Sequence, residues 1–272
     1  MNNSSRNFKA WVVDFDGTLV NSGLQLSTKV KDAVINLVKK GYIFSIATGR
    51  PYQGIIQRIC RDLGLTSPQI VSGGSEIVDP KKEQVIWSEY FPKDDAKNLI
   101  NYFLKNNYDF GIESEGSVFT KGGIDKSKNY GPEIIFKDIV DLDYLKILKT
   151  VLFNVTSIGN PEAIEKELTD EYPNLHCVRS GKEGSPLVLD ITSAKATKHL
   201  AVLELSKILN IDPSLMVGVG DGYNDYPLLT ACGFKVVMET APQQLKDIAD
   251  LIVPDVTNEG LAVAINKRLN LL

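Results

Sequence analysis

Residues 11–19 read Trp11-Val12-Val13-Asp14-Phe15-Asp16-Gly17-Thr18-Leu19, an apolar run that ends in two carboxylates one residue apart. Such a run predicts a buried parallel strand that delivers acid groups at its carboxyl end. Ligands of open α/β sheets bind in the crevice beyond those ends, so the paired Asp residues are placed for chemistry. Gly17 lets the backbone leave the strand through a conformation that a side chain would resist. Strand alternation sends Asp14 and Asp16 to the same side, where two crowded anions need a cation or a shared proton. Asp-x-Asp-Gly alone equally suits a strand that ends in a polar turn, so the decision rests on whether partners recur downstream.

Downstream, Ser27 reads as an N-cap for a helix with Val30, Ala33, Val34, Leu37 and Val38 on one face, closed by Gly41. Tyr42–Ala47 is a second apolar strand ending in Thr48-Gly49-Arg50, and Pro51 is expected to open the next helix. That would put the Thr48 hydroxyl and free backbone N–H groups at a helix N-terminus, where anions bind. Thr48 alone would serve equally as an N-cap. Gln69–Val71 predicts a third strand, broken by Gly73-Gly74, and residues 76–78 and 85–87 predict a hairpin around Asp79-Pro80-Lys81-Lys82.

Beyond Glu89 the texture changes. A helix over Asp94–Asn106 precedes short Gly-, Lys- and Asn-rich segments from Tyr108 to Lys128. Val151–Ile158 then reads as a strand, Pro161 as a helix start with Ala163, Ile164 and Leu168 inside, and Leu175–Arg179 and Leu187–Ile191 as strands flanking Gly181-Lys182-Glu183-Gly184. This mixture predicts an α+β insertion of about 100 residues, an ordinary domain size. From Ala196 the first texture returns: a helix through Leu200 to Leu209, the strand Leu215–Gly220 running into Asp221-Gly222-Tyr223-Asn224-Asp225, then a short helix to Gly233, Lys235–Met238, Gln243–Ala249, Leu251–Val253 and Gly260–Leu269. The expected fold is α/β, a doubly wound Rossmann-like parallel sheet over residues 1–88 and 194–272, interrupted by an inserted α+β cap over 89–193.

Composition narrows the function classes. The 272 residues are 43% hydrophobic and 24% charged, ordinary for a chain that buries a proper core. A net charge of −4 leaves no basic surplus for a nucleic-acid backbone. Cys60, Cys177 and Cys232 are scattered and lack metal-type spacing, which argues against a disulfide framework or zinc site. No run approaches a membrane span and Met1–Lys9 carries no apolar signal core, so a cytoplasmic protein is expected. Oligomeric state is not legible.

In a parallel sheet the ends of the three strand candidates share one edge, which gathers Asp14, Asp16, Thr48, Asp221, Asn224 and Asp225. An all-oxygen set without His or Cys suits a hard ion such as Mg²⁺. Lys198 or Lys195 would add charge for a phosphate.

Asp14-Phe15-Asp16-Gly17-Thr18, then Thr48 after an apolar strand, then Lys198, then Gly220-Asp221-x-x-Asn224-Asp225 resemble, in that order, the four motifs of the haloacid dehalogenase superfamily. The stretch between Asp14 and Thr48 is too short to hold a folded cap. An insertion between the second and third motifs resembles the Cof-type phosphatases. The resemblance implies a Mg²⁺-dependent phosphatase of small phosphorylated metabolites, sugar phosphates foremost. Asp14 would be the nucleophile that forms an aspartyl-phosphate, and Asp16 the general acid and base. Thr48, Gly49, Lys198 and Asn224 would hold the phosphoryl group. Mg²⁺ would bind the Asp14 carboxylate, the Asp16 carbonyl and Asp221, with Asp225 as ligand or anchor. Two departures stand out: His199 rather than Gly follows the lysine, and Gly73-Gly74 replaces the usual Asn-Gly. Arg50 is expected to be solvated or paired with an acid, and His176 and His199 to be structural. Glu113, Glu115, Arg179, Lys182 and Glu183 could reach the site from the cap. Two other functions remain open: a sugar phosphomutase, whose cap would need a second basic pocket that the sequence does not display, and a non-catalytic phosphometabolite-binding protein.

Overall fold

The computed structural model of the chain describes residues 7–121, 135–137, 139–180 and 187–269. The strand that opens the chain, β1 (Ala10–Val13), lies inside a five-stranded parallel sheet. Its neighbours are β2 (Ile43–Ile46) on one side and β12 (Met216–Gly220) on the other, with Val13 opposite both Ile46 and Val219. Beyond β12 come β13 (Phe234–Met238) and β14 (Leu251–Val253), giving the order β14-β13-β12-β1-β2. The chain winds outward in opposite directions from β1 and from β12, so the crevice between their carboxyl ends is the switch point of a doubly wound sheet.

Both faces of this sheet are covered, which is why its strands are mostly apolar, with Ser45 in β2 and Lys235 in β13 as exceptions. Trp11, Val13, Ile46, Val217 and Val219 pack under α1 (Thr28–Lys39), α2 (Ile55–Leu63) and the C-terminal helix Gly260–Leu269. Ala10, Val12 and Met216 face the helices Lys198–Leu209 and Tyr226–Ala231 instead, against Ala201, Val202, Leu205 and Leu228. Past β2, a single parallel bridge from Ala47 to Ile70 attaches β3 (Gln69–Val71), which continues antiparallel into β4 (Glu76–Asp79) and β5 (Gln84–Ser88).

The inserted cap is a six-stranded sheet in the order β10-β11-β9-β6-β7-β8. Its strands are β6 (Phe110–Ser114), β7 (Ser117–Lys121), β8 (Ile135–Lys137), β9 (Lys149–Leu152), β10 (Leu175–Ser180) and β11 (Val188–Ser193). Helix α3 (Lys93–Lys105) and the helix Pro161–Glu171 cover one face, where Leu99, Phe103, Phe110, Ile112, Leu168, Leu189 and Ile191 form a second core. The other face carries Glu113, Lys149 and Asp190 and lines the cavity at the switch point.

Local expectations needed correction in four places. Pro51 does not open a helix: the chain turns through residues 51–54, Gly54 takes a φ of 83°, and α2 starts only at Ile55. A residue at positive φ cannot belong to a right-handed helix, so the glycine displaces the start. Val151–Ile158 is not one strand: β9 stops at Leu152, Asn154 adopts the left-handed region at φ 52°, and Val155–Ile158 forms a single helical turn. Asn tolerates that conformation better than most residues. Ala163 is exposed, so the apolar side of its helix rests on Leu168 with partial help from Ile164. The predicted helix over 243–249 is Gln243–Lys246.

Candidate active site

Asp14 continues the ladder of β1 by donating its N–H to the Val219 carbonyl at 2.9 Å, and its side chain is buried. Lys198 enters from the opposite side as the first residue of its helix, set there by Thr197, whose hydroxyl accepts the Leu200 N–H. The Lys198 ammonium lies 2.6 Å from Asp14 Oδ1 and 2.6 Å from Asp225 Oδ1. Asp225 uses its other oxygen to accept the N–H groups of Asp221 and Gly222, both at 3.0 Å, so it anchors the loop after β12 as well as the lysine. Thr18 in turn donates to Asp221 Oδ1 at 2.9 Å and ties that loop to the one after β1.

Two glycines permit this convergence. Gly17 sits at φ 90°, and a Cβ there would lie 2.3 Å from Asp221 Oδ2; a Cβ on Gly220 would lie 2.5 Å from the Asp225 Cβ. Gly74, at φ 107°, lets the β3 turn pass the entry to the Lys198 helix, where a Cβ would come within 2.6 Å of the Thr197 backbone. Gly74 is the glycine that the usual Asn-Gly also carries, so the departure noted in the sequence is confined to Gly73, which itself sits at φ 75°.

Asp14, Asp221 and Asp225 each offer a carboxylate oxygen, and the three oxygens lie within 4.8 Å of one another. Burial first, then the charges of Asp225 and Asp221, push the Asp14 carboxyl well above the usual carboxylate range, with Lys198 opposing them. Burial works against the Lys198 ammonium, but Asp14 and Asp225 outweigh it and raise its pKa. Lysine therefore remains charged, and Asp14 sits where a further cation would favour its ionised form.

Asp16 is placed differently from the alternation expectation. By Asp16 the chain has left the strand and bridges to Val20, so period two no longer applies and its carboxylate does not join the Asp14 cluster. It is half exposed and held in a bidentate pair by Arg50, with Nε to Oδ2 and Nη2 to Oδ1 both at 2.8 Å. Arg50 is thus paired with an acid, as its position suggested, and also lies 5.9 Å from the centre of the Phe15 ring.

Thr48 is buried at the end of β2, with its N–H donated to Ile70. Its hydroxyl oxygen accepts the Arg50 N–H at 3.1 Å, closing a tight turn rather than capping a helix. That bond uses the oxygen only as an acceptor, so the hydroxyl keeps its proton for donation. Gly49 presents its carbonyl to Lys149 Nζ at 2.7 Å.

Asp14, Asp16, Gly49, Asp221 and Asn224 all line one cavity of about 930 Å³, with Thr48, Lys198 and Asp225 buried behind it. Lys198 rather than Lys195 joins the cluster; Lys195 is exposed. His199 lies against Thr230, and neither it nor His176 lines the cavity. From the cap, Glu113 and Arg179 reach the cavity, Glu115 pairs with Lys146, and Lys182 and Glu183 lie outside the described residues. Arg179 is held by Glu162 and Glu165 at 2.8 and 2.6 Å and lies over the Tyr223 ring.

Two residues went unrecognised in the sequence. Lys149 is buried in β9 and pairs with Asp190 of β11 at 2.6 Å, while Ser180 donates to Asp190 at 2.5 Å. The available signal was a lysine and an aspartate that are each the one charged residue of their strand, both on the face opposite the cap's apolar core. Burial pushes the Glu113 carboxyl up to about 7, against the pull of Lys149.

The model of the haloacid dehalogenase-like hydrolase family matches residues 11–265. The chain is 25% identical to phosphatase YwpJ of Bacillus subtilis, over 94% of this chain and 97% of that protein. It is 23% identical to 5-amino-6-(5-phospho-D-ribitylamino)uracil phosphatase YwtE of the same organism, over 96% and 98%. The fold superposes on the HAD subclass IIB sugar phosphatase BT4131 with a TM-score of 0.80 at 23% identity, covering 97% of this chain and 100% of that one.

Proposed function

Because the chain belongs to the haloacid dehalogenase-like hydrolase family and is a phosphatase within it, we propose that it hydrolyses small phosphorylated metabolites, sugar phosphates foremost, with Mg²⁺ and through an aspartyl-phosphate on Asp14. The observation that carries this reading is Asp14 itself: a buried carboxylate against Lys198, beside Asp221 and Asp225, at the base of a cavity roofed by the cap sheet. The cap, which we delimit at residues 89–193, then surrounds the leaving group while the core over 1–88 and 194–272 handles the phosphate.

The donor set fits a hard divalent cation, because every ligand on offer is oxygen and Gly17 and Gly220 leave the carboxylates room to converge. Asp14 and Asp221 would hold it with the Asp16 carbonyl, and Asp225, whose oxygens already serve Lys198 and two N–H groups, would act as anchor. Bound there, Mg²⁺ supplies charge neutralisation for the phosphate.

The chain's own residues do the rest. Asp14 attacks phosphorus, and its ionised form is favoured by the Lys198 ammonium 2.6 Å away. Lys198, the Thr48 hydroxyl, the Gly49 backbone and Asn224 hold the phosphoryl oxygens. Asp16, exposed and outside the carboxylate cluster, protonates the leaving alcohol and later takes a proton from water. The described cap cations on the cavity, Lys149 and Arg179, are each already paired with acids, which disfavours a second phosphate and with it a bisphosphate-using mutase.

The test is Mg²⁺-dependent release of inorganic phosphate from a panel of phosphorylated metabolites, with Asp14→Asn as the blank and products checked for isomers. Release that vanishes in the variant and with chelator is expected. Isomer interconversion without free phosphate would make the protein a mutase, and no turnover of any ester would leave only binding.

A further inference from the structure

One row across the cap sheet sets three polar side chains side by side. The register sets Lys149 of β9 opposite Glu113 of β6 on one side and Thr192 of β11 on the other. All three side chains are buried, and Glu113 and Lys149 line the same cavity as Asp14 and Asp221. Lys149 is engaged twice: it pairs with Asp190 at 2.6 Å and donates to the Gly49 carbonyl at 2.7 Å, next to Thr48. Its flanking groups are less well served: Glu113 Oε2 and Thr192 Oγ1 are both buried without a hydrogen bond of good geometry, and the buried Ser72 hydroxyl, which stands near enough to the Glu113 carboxylate to hold its pKa down, is unpartnered too. Buried polar atoms in folded proteins are nearly always paired, so an orphaned carboxylate oxygen on a cavity wall signals a missing partner.

We propose that Glu113 is a specificity-determining residue, whose unpartnered carboxylate oxygen accepts a hydrogen bond from a hydroxyl of the leaving alcohol; this rests on the phosphatase reading. The surrounding charges select the chemistry of that partner. An anionic substituent would face Glu113 and Asp190 together, while an ammonium would have to approach Lys149, which already stands between those acids. A neutral hydroxyl meets neither penalty and supplies the proton that the orphaned oxygen lacks. The same cavity wall offers Val151, Phe153, Leu187 and Val188, an apolar surface for the carbon skeleton between hydroxyls. Lys149 fixes the geometry as a positioning residue, because its bond to Gly49 holds the cap row within one lysine side chain of the phosphate-binding turn. The substrate class that follows is a polyhydroxylated monophosphate ester without a second anionic group.

The test compares kcat/KM of wild type, Glu113→Met and Glu113→Gln on ribose 5-phosphate, glucose 6-phosphate and sorbitol 6-phosphate with that on p-nitrophenyl phosphate, whose leaving group carries no aliphatic hydroxyl. Taking the ratio within each protein cancels any loss of folded enzyme. In Glu113→Met the ratio for the best hydroxylated ester should fall at least fivefold, mainly through KM. Glu113→Gln, which retains one acceptor oxygen, should recover part of it. A smaller fall, or wild type preferring 3-phosphoglycerate or fructose 1,6-bisphosphate, overturns the assignment of Glu113. So does wild type cleaving p-nitrophenyl phosphate but no hydroxylated ester, and that result leaves the phosphatase reading standing. Wild type cleaving no ester at all overturns the phosphatase reading and this assignment with it.

Discussion

Replacing Glu76 by glutamine is expected to free the fold of a pH-dependent loss of stability. Glu76 opens β4, is almost fully buried, and has its carboxyl pushed from 4.5 to about 7, chiefly by burial and then by the charges of Glu113 and Glu115. Between those two values the native state keeps a proton that the unfolded chain releases. Its contribution is therefore fully present below about pH 4.5 and is lost as pH rises through about 7. A displacement of that size corresponds to about 3 kcal/mol at most. The Glu76→Gln variant would keep the shape and lose the titration, so its advantage over wild type should widen by roughly 2–3 kcal/mol from pH 5 to pH 8. Urea unfolding at pH 5, 6, 7 and 8 reads this directly, followed by the fluorescence of the chain's two tryptophans, Trp11 and Trp87, which both pack in the α/β core. The difference between the two proteins removes titrations that Glu76 does not touch, such as that of Asp14; the Glu113 carboxyl, raised to about 7 as well, faces Glu76 and is relieved of its charge in the variant, which acts in the same direction and the same pH window. A gap that stays constant across the range, within about 0.5 kcal/mol, would refute the assignment of a buried, protonated Glu76.

Two further substitutions probe the site. Lys198→Met leaves Asp14 and Asp225 buried without their ammonium; removing one partner of a buried ionic cluster costs about 3–5 kcal/mol, which a thermal melt would report alongside loss of phosphate release. Gly17→Ala forces a side chain into φ 90° and to within 2.3 Å of Asp221 Oδ2; destabilisation above about 1 kcal/mol is expected, with weaker stabilisation of the melt by added Mg²⁺ than in wild type.

The parts of the molecule legible in the sequence were those written in local pattern. The apolar runs at 11–13 and 216–219 could only be strands buried on both faces, and the acids that follow them meet because parallel strands share an edge. Lys195 and Lys198 both stand near one helix start; the motif order favours Lys198, and Thr197 as the cap is what sets that lysine at the first helical position. Thr48 was placed correctly at the strand end but in the wrong setting, since Pro51 resembled a helix start while Gly54 at φ 83° postponed it. Val151–Ile158 misled because β-branched residues lie on both sides of Asn154, whose left-handed backbone ends the strand. Lys149 and Asp190 were illegible for a different reason. Each is an isolated charge in a strand, and only the β9–β11 register and the contact with Gly49 turn them into a unit.

Asp14 and Asp16 carry the proposed chemistry from two positions in sequence, and what separates their roles is their surroundings. Asp14 is enclosed between Lys198 and two carboxylates, where its charge depends on cations supplied by the site. Asp16 lies beyond the strand, half exposed, and its charge is met by Arg50 from outside the cluster. A nucleophile must keep its charge until it attacks, whereas a general acid must gain and lose a proton within each cycle. The first task suits a carboxylate held in a fixed ionic enclosure; the second suits one with access to solvent. For Asp16 to protonate the leaving alcohol it has to give up at least one of its two bonds to Arg50, a side chain two residues beyond Thr48 and one beyond Gly49. Substrate binding at the Thr48–Gly49 turn would therefore act on Asp16 through Arg50, and Lys149, bonded to Gly49 from the cap, would join the cap to that exchange.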